Sequence, residues 1–218
     1  MNGPARVALV DDHRFLVQSL ALALRAAGHD ALVIDPDGDV LAQIQDWHPS
    51  VVVLDLQLAN GVRGDDLIAG LATRDRLVVV LTAEIDPARW GACLMRGAHG
   101  VISKTAPLED VVSAVTSAAE GRPVVTEADR MAWLRANDHA SREAEQAGVP
   151  FRRLTPREQE VLAALVDGQP AAVIADRAVV SEATVRSQIR AVLRKLGVAS
   201  QLQAVAKARR AGWSGPAR

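Results

Sequence analysis

The sequence predicts an α/β chain in two parts: a doubly wound, five-stranded parallel sheet, then a smaller all-α helix-turn-helix domain. Three observations carry this. Short apolar runs alternate with amphipathic stretches five times before residue 121, with no hairpin signal between them. The run Val51–Leu54 is continuous and mostly β-branched, as expected of a strand buried on both faces. Charge also changes sign along the chain. Residues 1–120 hold 9 Lys/Arg against 16 Asp/Glu, a net −7, and residues 121–218 hold 16 against 10, a net +6. An acidic front and a basic back suit two domains, of which only the second favours a polyanion.

The chain of 218 residues is long enough for two cores. No run approaches the roughly 18 to 20 apolar residues of a membrane helix, and the start MNGPARVALVDD lacks a signal pattern. A cytoplasmic protein without a membrane segment is therefore expected. Cys93 is the only cysteine, which excludes an internal disulfide and a cysteine-rich zinc site. It reads as a small core residue.

Taken in order, RVALVDD (6–12) is a buried strand ending in two acids. Phe15, Leu16, Leu20, Leu24 and Ala27 then fall at helical spacing, with Gly28 as the stop. ALVID (31–35) is the second strand, and Val40, Leu41, Ile44 and Trp47 mark a helix ending before Pro49. The third strand, 50–56, carries no charge until Asp55 at its carboxyl end. A helix over 65–73 precedes the fourth strand, RLVVVLT (76–82). Pro87 opens a helix bearing Trp90, Leu94 and Met95. HGVISK (99–104) is the fifth strand, and 108–120 the last helix.

Polar residues collect where these strands end: Asp11 and Asp12, Asp55, Thr82, and Lys104. In a flavodoxin-like order 2-1-3-4-5 the first and third strands are neighbours at the switch point, so three carboxylates converge. They repel unless a cation is present, and an all-oxygen set suits Mg²⁺. An aspartate beside Mg²⁺, a hydroxyl and a lysine makes a phosphoryl-acceptor site.

These residues resemble the receiver domain of two-component response regulators over 5–120. Asp11-Asp12-His13, Asp55, Thr82-Ala83 and Lys104 match its acid pair, phosphoacceptor, switch hydroxyl and lysine. The resemblance implies that Asp55 accepts phosphate from a sensor histidine kinase. It also implies that Asp11, Asp55 and the Gln57 backbone carbonyl ligate Mg²⁺, with Asp12 assisting through water. His13 reads as a helix-start residue. The sequence departs from the family's pattern at three places. The loop LQLANGVRGDD lacks the usual proline and is one residue longer before Gly64, Val101 stands where Tyr or Phe is usual, and Thr105 follows Lys104 in place of proline.

The stretch 121–151 joins the halves. Part of it, with Met131, Trp133 and Leu134, reads as a linker helix that Gly148 and Pro150 end. Then LTPREQEVL begins a helix: Thr155 caps, Pro156 takes the first position, and Glu158 closes a capping box. Val161, Leu162 and Leu165 form its buried face. A short helix follows over 171–177. Ser181 caps a third helix, ended by Gly197. On it Val185, Ile189, Val192 and Leu196 face inward, and Arg186, Arg190 and Arg194 share an outward stripe. After Glu182 this helix has four basic residues and no acid, the pattern of a helix that enters the major groove.

Residues 151–210 resemble the LuxR-type DNA-binding domain. By that resemblance Thr184, Arg186, Ser187 and Arg190, with Arg194 and Lys195, are the DNA-contacting set. The resemblance also implies that a helix over 201–210, with Leu202 and Val205 inward, would carry the dimer contact. Pro170, Ala171, Ala172 and Val173 replace the usual polar residues, and Gln188 stands where His is common. The whole chain therefore resembles a NarL/LuxR-type response regulator: receiver 1–121, linker 122–150, helix-turn-helix 151–218. That implies a regulator rather than an enzyme, a homodimer when active, with double-stranded promoter DNA and a cognate kinase as partners. Two rivals remain open: a regulator of this fold that works without phosphorylation, and a haloacid-dehalogenase-type phosphatase. Against the latter, the first strand ends in DDH rather than DxD.

Overall fold

In the computed structural model, which describes residues 4–58 and 63–215, the five apolar runs are strands of one sheet. They are β1 (Arg6–Val10), β2 (Asp30–Val33), β3 (Val51–Leu54), β4 (Leu77–Thr82) and β5 (Gly100–Ser103). The order is β2-β1-β3-β4-β5 and every pairing is parallel. All four residues of β3 are buried, because helices cover both faces of the sheet. Alternate strand residues point to opposite sides. Val7, Leu9, Val51, Val53, Val79 and Leu81 meet α1 (Arg14–Ala26) and α5 (Leu108–Ala119). Ala8, Val10, Val52, Leu54, Val78, Val80 and Val101 meet α2 (Val40–Trp47), α3 (Gly64–Leu71) and α4 (Pro87–Met95). Each fully buried Val or Leu contributes about 1.5 to 3 kcal/mol relative to exposure.

Register does the positioning. Val10 lies opposite Leu54, and Leu54 opposite Val80, so the residues that follow on β1 and β3 emerge side by side at the carboxyl edge. Three apolar residues expected on buried faces are exposed instead, Leu41 at the margin and Phe15 and Met95 strongly. Phe15 is 87% exposed and Met95 69%. The buried face of α1 is set by Val17, Leu20, Ala21 and Leu24, and Phe15 lies on the other side of that helix. Met95 sits one residue past buried Leu94, a rotation of about 100°.

The joining stretch differs from expectation. Helix α6 (Glu127–Arg152) runs 26 residues and passes through both Gly148 and Pro150. Thr126 opens it, its hydroxyl accepting from the Asp129 N–H at 3.1 Å. A proline inside a helix removes one hydrogen bond. Here the last turn is retained because Phe151 is buried among Leu154, Leu162, Val192 and Leu196 and stacks on Trp213 at 5.7 Å. The chain divides into two compact units at 139/140, inside α6.

In the first unit the opening turns of α6 lie on α4. Trp133 meets Trp90 edge-on at 4.8 Å, and Trp133 and Leu134 pack on the sheet's core. Gly91 makes the approach possible, since a Cβ there would stand 2.1 Å from the Trp133 carbonyl oxygen. In the second unit α7 (Pro156–Val166), α8 (Ala171–Ala178), α9 (Glu182–Leu196) and α10 (Gln201–Arg210) enclose the core. Thr155 and Glu158 form the capping box that the sequence marks, and Ser181 caps α9. On α10 the inward residues are Ala204 and Ala208, with Val205 partly buried. Leu202 is 79% exposed. Small residues let α10 lie close to its neighbours, and Leu202 falls about 200° around from Ala204. No described helix is long and apolar enough to cross a membrane.

Gly91→Ala should push α6 off α4, because the added methyl meets backbone rather than a flexible side chain. Hydrogen exchange of 127–139 should speed up while β1–β5 stay protected. Unchanged exchange in that segment would show that the contact does not hold the helix.

Candidate functional site

The carboxyl edge of the sheet gathers the polar strand ends into one cluster. Asp11 follows β1 at 5% exposure and Asp55 follows β3 at 2%. Thr82 closes β4 and is equally buried. Lys104 follows β5, fixed by its N–H donating to the Thr82 carbonyl at 2.8 Å. Its Nζ is 2.7 Å from Asp11 Oδ2 and 2.7 Å from Asp55 Oδ2. Asp12 is half-buried beside them, and the His13 Nδ1 lies 2.9 Å from a carboxylate oxygen of each of Asp11 and Asp12. His13 occupies the position before α1 but makes no side-chain cap. Its ring faces the acids, which its role as a helix-start residue does not suggest. The Thr82 hydroxyl accepts from the Glu84 N–H at 3.1 Å.

Burial raises the Asp55 carboxyl above the ordinary range, and the Asp11 charge adds to this. The Lys104 hydrogen bond and charge, with the nearby Gln57 N–H, pull back the other way without prevailing. Ligand atoms of Asp11, Asp12, His13 and Asp55 all fall within 4.8 Å of one another. Asp11 Oδ2 and Asp12 Oδ1 are buried and make no well-directed hydrogen bond, although each is within ion-pair range of Lys104 or His13. Free carboxylate lone pairs in an acid-rich pocket fit a hard, oxygen-seeking divalent cation. Gln57 forms an isolated antiparallel bridge with Arg63 directly behind Asp55. Within the loop LQLANGVRGDD, residues 59–62 lie outside the described residues. Val101 is buried at 3% exposure, opposite Val80.

On α9, Thr184, Arg186, Ser187, Arg190 and Arg194 are all exposed. Arg186 is forked onto Glu182, with bonds of 3.0 and 2.6 Å, whereas Arg190 and Arg194 make no ion pair among the described residues. Lys195 does not belong to this face. Its Nζ donates to Glu158 Oε2 at 2.6 Å, because it sits about 100° around from Arg194 and above the start of α7. Burial pushes the Glu158 carboxyl up. The Lys195 ammonium and the Thr155 N–H outweigh it, so it lies below the usual glutamate range. The sequence also gives no sign of Asp65, which is 4% exposed in the first turn of α3 and is paired with Arg63 and Arg96.

An acidic, lysine-bridged strand-end cluster followed by a basic all-helical unit defines a class, and comparison with known proteins agrees. Residues 7–116 match the response regulator receiver domain, and residues 152–208 match the bacterial regulatory proteins of the luxR family. The chain belongs to the response regulators that join a receiver to a LuxR-type DNA-binding domain. It is 31% identical over 209 residues to the nitrate/nitrite response regulator protein NarL of Escherichia coli, covering 92% of this chain and 93% of that one. It is also 31% identical over 209 residues to the probable transcriptional regulatory protein NarL of Mycobacterium tuberculosis, covering 94% of each. The solved RcsB response regulator of Salmonella typhimurium shares the fold, with TM-score 0.52, 22% identity, and 96% and 100% of the two chains covered.

Glu158→Gln keeps a capping group but loses the charge facing Lys195. Because the folded carboxyl is depressed, its stabilisation is present above the unfolded value of about 4.3 and is lost as pH falls through the folded value. Urea denaturation should show the variant about 1 kcal/mol less stable at pH 7, with the gap closing well below pH 4.3. A gap that does not change with pH would assign the loss to capping alone.

Proposed function

We propose that this chain is a DNA-binding transcriptional response regulator, switched when a cognate sensor histidine kinase phosphorylates Asp55. The observation that carries the reading is Lys104 Nζ at 2.7 Å from both Asp11 and Asp55 at the sheet's carboxyl edge. In the transfer, an Asp55 carboxylate oxygen forms the new bond to phosphorus as the bond from phosphorus to the kinase's histidine nitrogen breaks. The product is an acyl phosphate. Lys104 then pairs with a phosphoryl oxygen, and the Thr82 hydroxyl turns from the Glu84 N–H to donate to another. Asp11, Asp55 and the Gln57 carbonyl, with Asp12 through water, would hold Mg²⁺, which when bound neutralises charge on the acceptor and the phosphoryl oxygens.

The functional domains in this reading are a receiver over 1–121, a linker over 122–150 and a helix-turn-helix over 151–218, working in the cytoplasm. Phosphorylation favours a homodimer that binds double-stranded promoter DNA through Thr184, Arg186, Ser187, Arg190 and Arg194. Exposed Leu202 on α10 supports a dimer contact there. Lys195 joins this set only by releasing Glu158, as Arg186 must release Glu182.

Mass spectrometry after treatment with acetyl phosphate and Mg²⁺ should find one phosphoryl group, absent from Asp55→Asn and absent in excess EDTA. Full uptake in Asp55→Asn would place the acceptor elsewhere, and no uptake by the natural chain would favour a regulator that works without phosphate. In gel-shift titrations Arg190→Ala should cost about 1 to 3 kcal/mol of specific binding. Arg186→Ala should cost less, because Arg186 must first release Glu182. Intact specific binding in both variants would clear this face of a role.

Val101 limits how strongly the two sites communicate. It is short, χ1-restricted and packed, so it cannot swing between two pockets as a ring can. Full phosphorylation should therefore tighten operator binding by less than about tenfold, the lower part of the usual range of allosteric coupling. The comparison is made at one salt concentration, and a ratio near a hundred would show that other contacts carry the signal.

A further inference from the structure

Asp65 stands apart among the buried acids. Asp11 and Asp55 belong to the strand-end cluster and Glu158 to a capping box, which leaves Asp65 without a role. A carboxylate at 4% exposure is costly to bury unless it is fully paired, and this one is. Its Oδ1 accepts from Arg63 Nε at 3.0 Å, and its Oδ2 accepts from Arg63 Nη2 at 2.7 Å and Arg96 Nη1 at 2.9 Å. The Arg63 contact is a two-bond fork, the geometry that fixes direction as well as distance. It lowers the Asp65 carboxyl from its ordinary value, against the opposing effect of burial.

The backbone of Arg63 is what gives the fork a target. Arg63 is the antiparallel bridge partner of Gln57. Next to it, the Gly64 N–H donates to the Leu56 carbonyl at 3.0 Å, and a Cβ on Gly64 would stand 1.9 Å from the Asp55 carbonyl oxygen. Segment 63–65 is thus folded directly onto segment 55–57, with no side chain between them. Fixing Arg63 fixes the peptide opposite it. Arg96, at the end of α4 and 42% exposed, ties the same carboxylate to a second element, so the fork cannot drift with α3 alone.

We infer that Asp65 is a positioning residue for the acceptor site, acting through Arg63 to hold the Gln57 peptide where its carbonyl can face a divalent cation. The inference rests on the reading of Asp55, Asp11 and Gln57 as the Mg²⁺-bearing acceptor site. Asp65 itself touches neither the cation nor the phosphoryl group.

Arg63→Ala separates this from a general electrostatic effect and from a purely structural ion pair. Removing a positive charge near the site should, by Coulomb attraction alone, strengthen binding of a divalent cation. Loss of the fork should weaken it. Arg63 is 59% exposed in its side chain and Arg96 still pairs with Asp65 in the variant, and circular dichroism and a thermal melt verify that it folds. Calorimetric titration of the full chain with Mg²⁺ should show Arg63→Ala and Asp65→Asn each binding about tenfold more weakly, the scale of losing an outer-shell partner of a metal ligand. The double variant should be no weaker than either single one, because the two act as a unit. Arg63→Ala binding as tightly as the natural chain, or more tightly, overturns the inference and leaves the acceptor reading in place. A natural chain that binds no Mg²⁺ overturns both.

Discussion

Two carboxylates at the ends of adjacent strands, both nearly sealed from water, cannot stay charged together without a cation between them. Lys104 is that cation, 2.7 Å from Asp11 and from Asp55. The sheet's order and register make the constraint unavoidable. β1 and β3 are neighbours and Val10 lies opposite Leu54, so Asp11 and Asp55 must meet, while Lys104 is delivered from the far edge by β5. The Lys104 N–H bond to the Thr82 carbonyl then fixes the side chain's origin. Compensation is incomplete, since burial still leaves Asp55 above its ordinary range. The site therefore has an unspent affinity for positive charge, which the proposed Mg²⁺ satisfies.

Around that edge the fold stiffens some connections and lightens others. The turn after Asp55 is backed by Gly64 and the Asp65 fork. The loop after β4 is tied by the Trp90 indole N–H, which donates to the Glu84 carbonyl at 2.9 Å, and Trp90 in turn carries Trp133 of α6. Thr82, Glu84, Trp90 and Trp133 thus form a continuous chain of contacts within the first unit. Opposite, Val101 fills its place in the core as a short, χ1-restricted side chain without a polar end. Contacts are thus continuous from the strand ends to the α4 side, and purely apolar at Val101 on β5.

Much of this is legible in the sequence. The strands are written as β-branched runs, and each cap is written within three or four residues, as at Thr155–Pro156–Glu158. Asp55 is marked by being the first charge after an apolar run. What the sequence hides are facts about facing and distance. Phe15, Met95 and Leu202 are large and apolar yet exposed, while Ala204 and Ala208 are small and buried, because proximity of helices rather than side-chain size decides which face turns in. Gly148 and Pro150 look like a stop, and the burial of Phe151 carries the helix through them. Lys195 reads as one more groove cation, and nothing local shows that Glu158, 37 residues earlier, is its partner in the free chain. Asp65 pairs with Arg96 across 31 residues, a separation at which no local pattern announces a partner.

Burial leaves the Asp55 carboxylate short of positive charge despite Lys104. Carbon-13 NMR titration of the Asp55 carboxyl in the full chain measures this directly. Without divalent cations the midpoint should lie above the ordinary aspartate value of about 3.9, and adding Mg²⁺ should move it below that value. A midpoint at or under the ordinary value in metal-free buffer, unmoved by Mg²⁺, would mean that Lys104 alone satisfies the cluster and that the site has no use for a second cation.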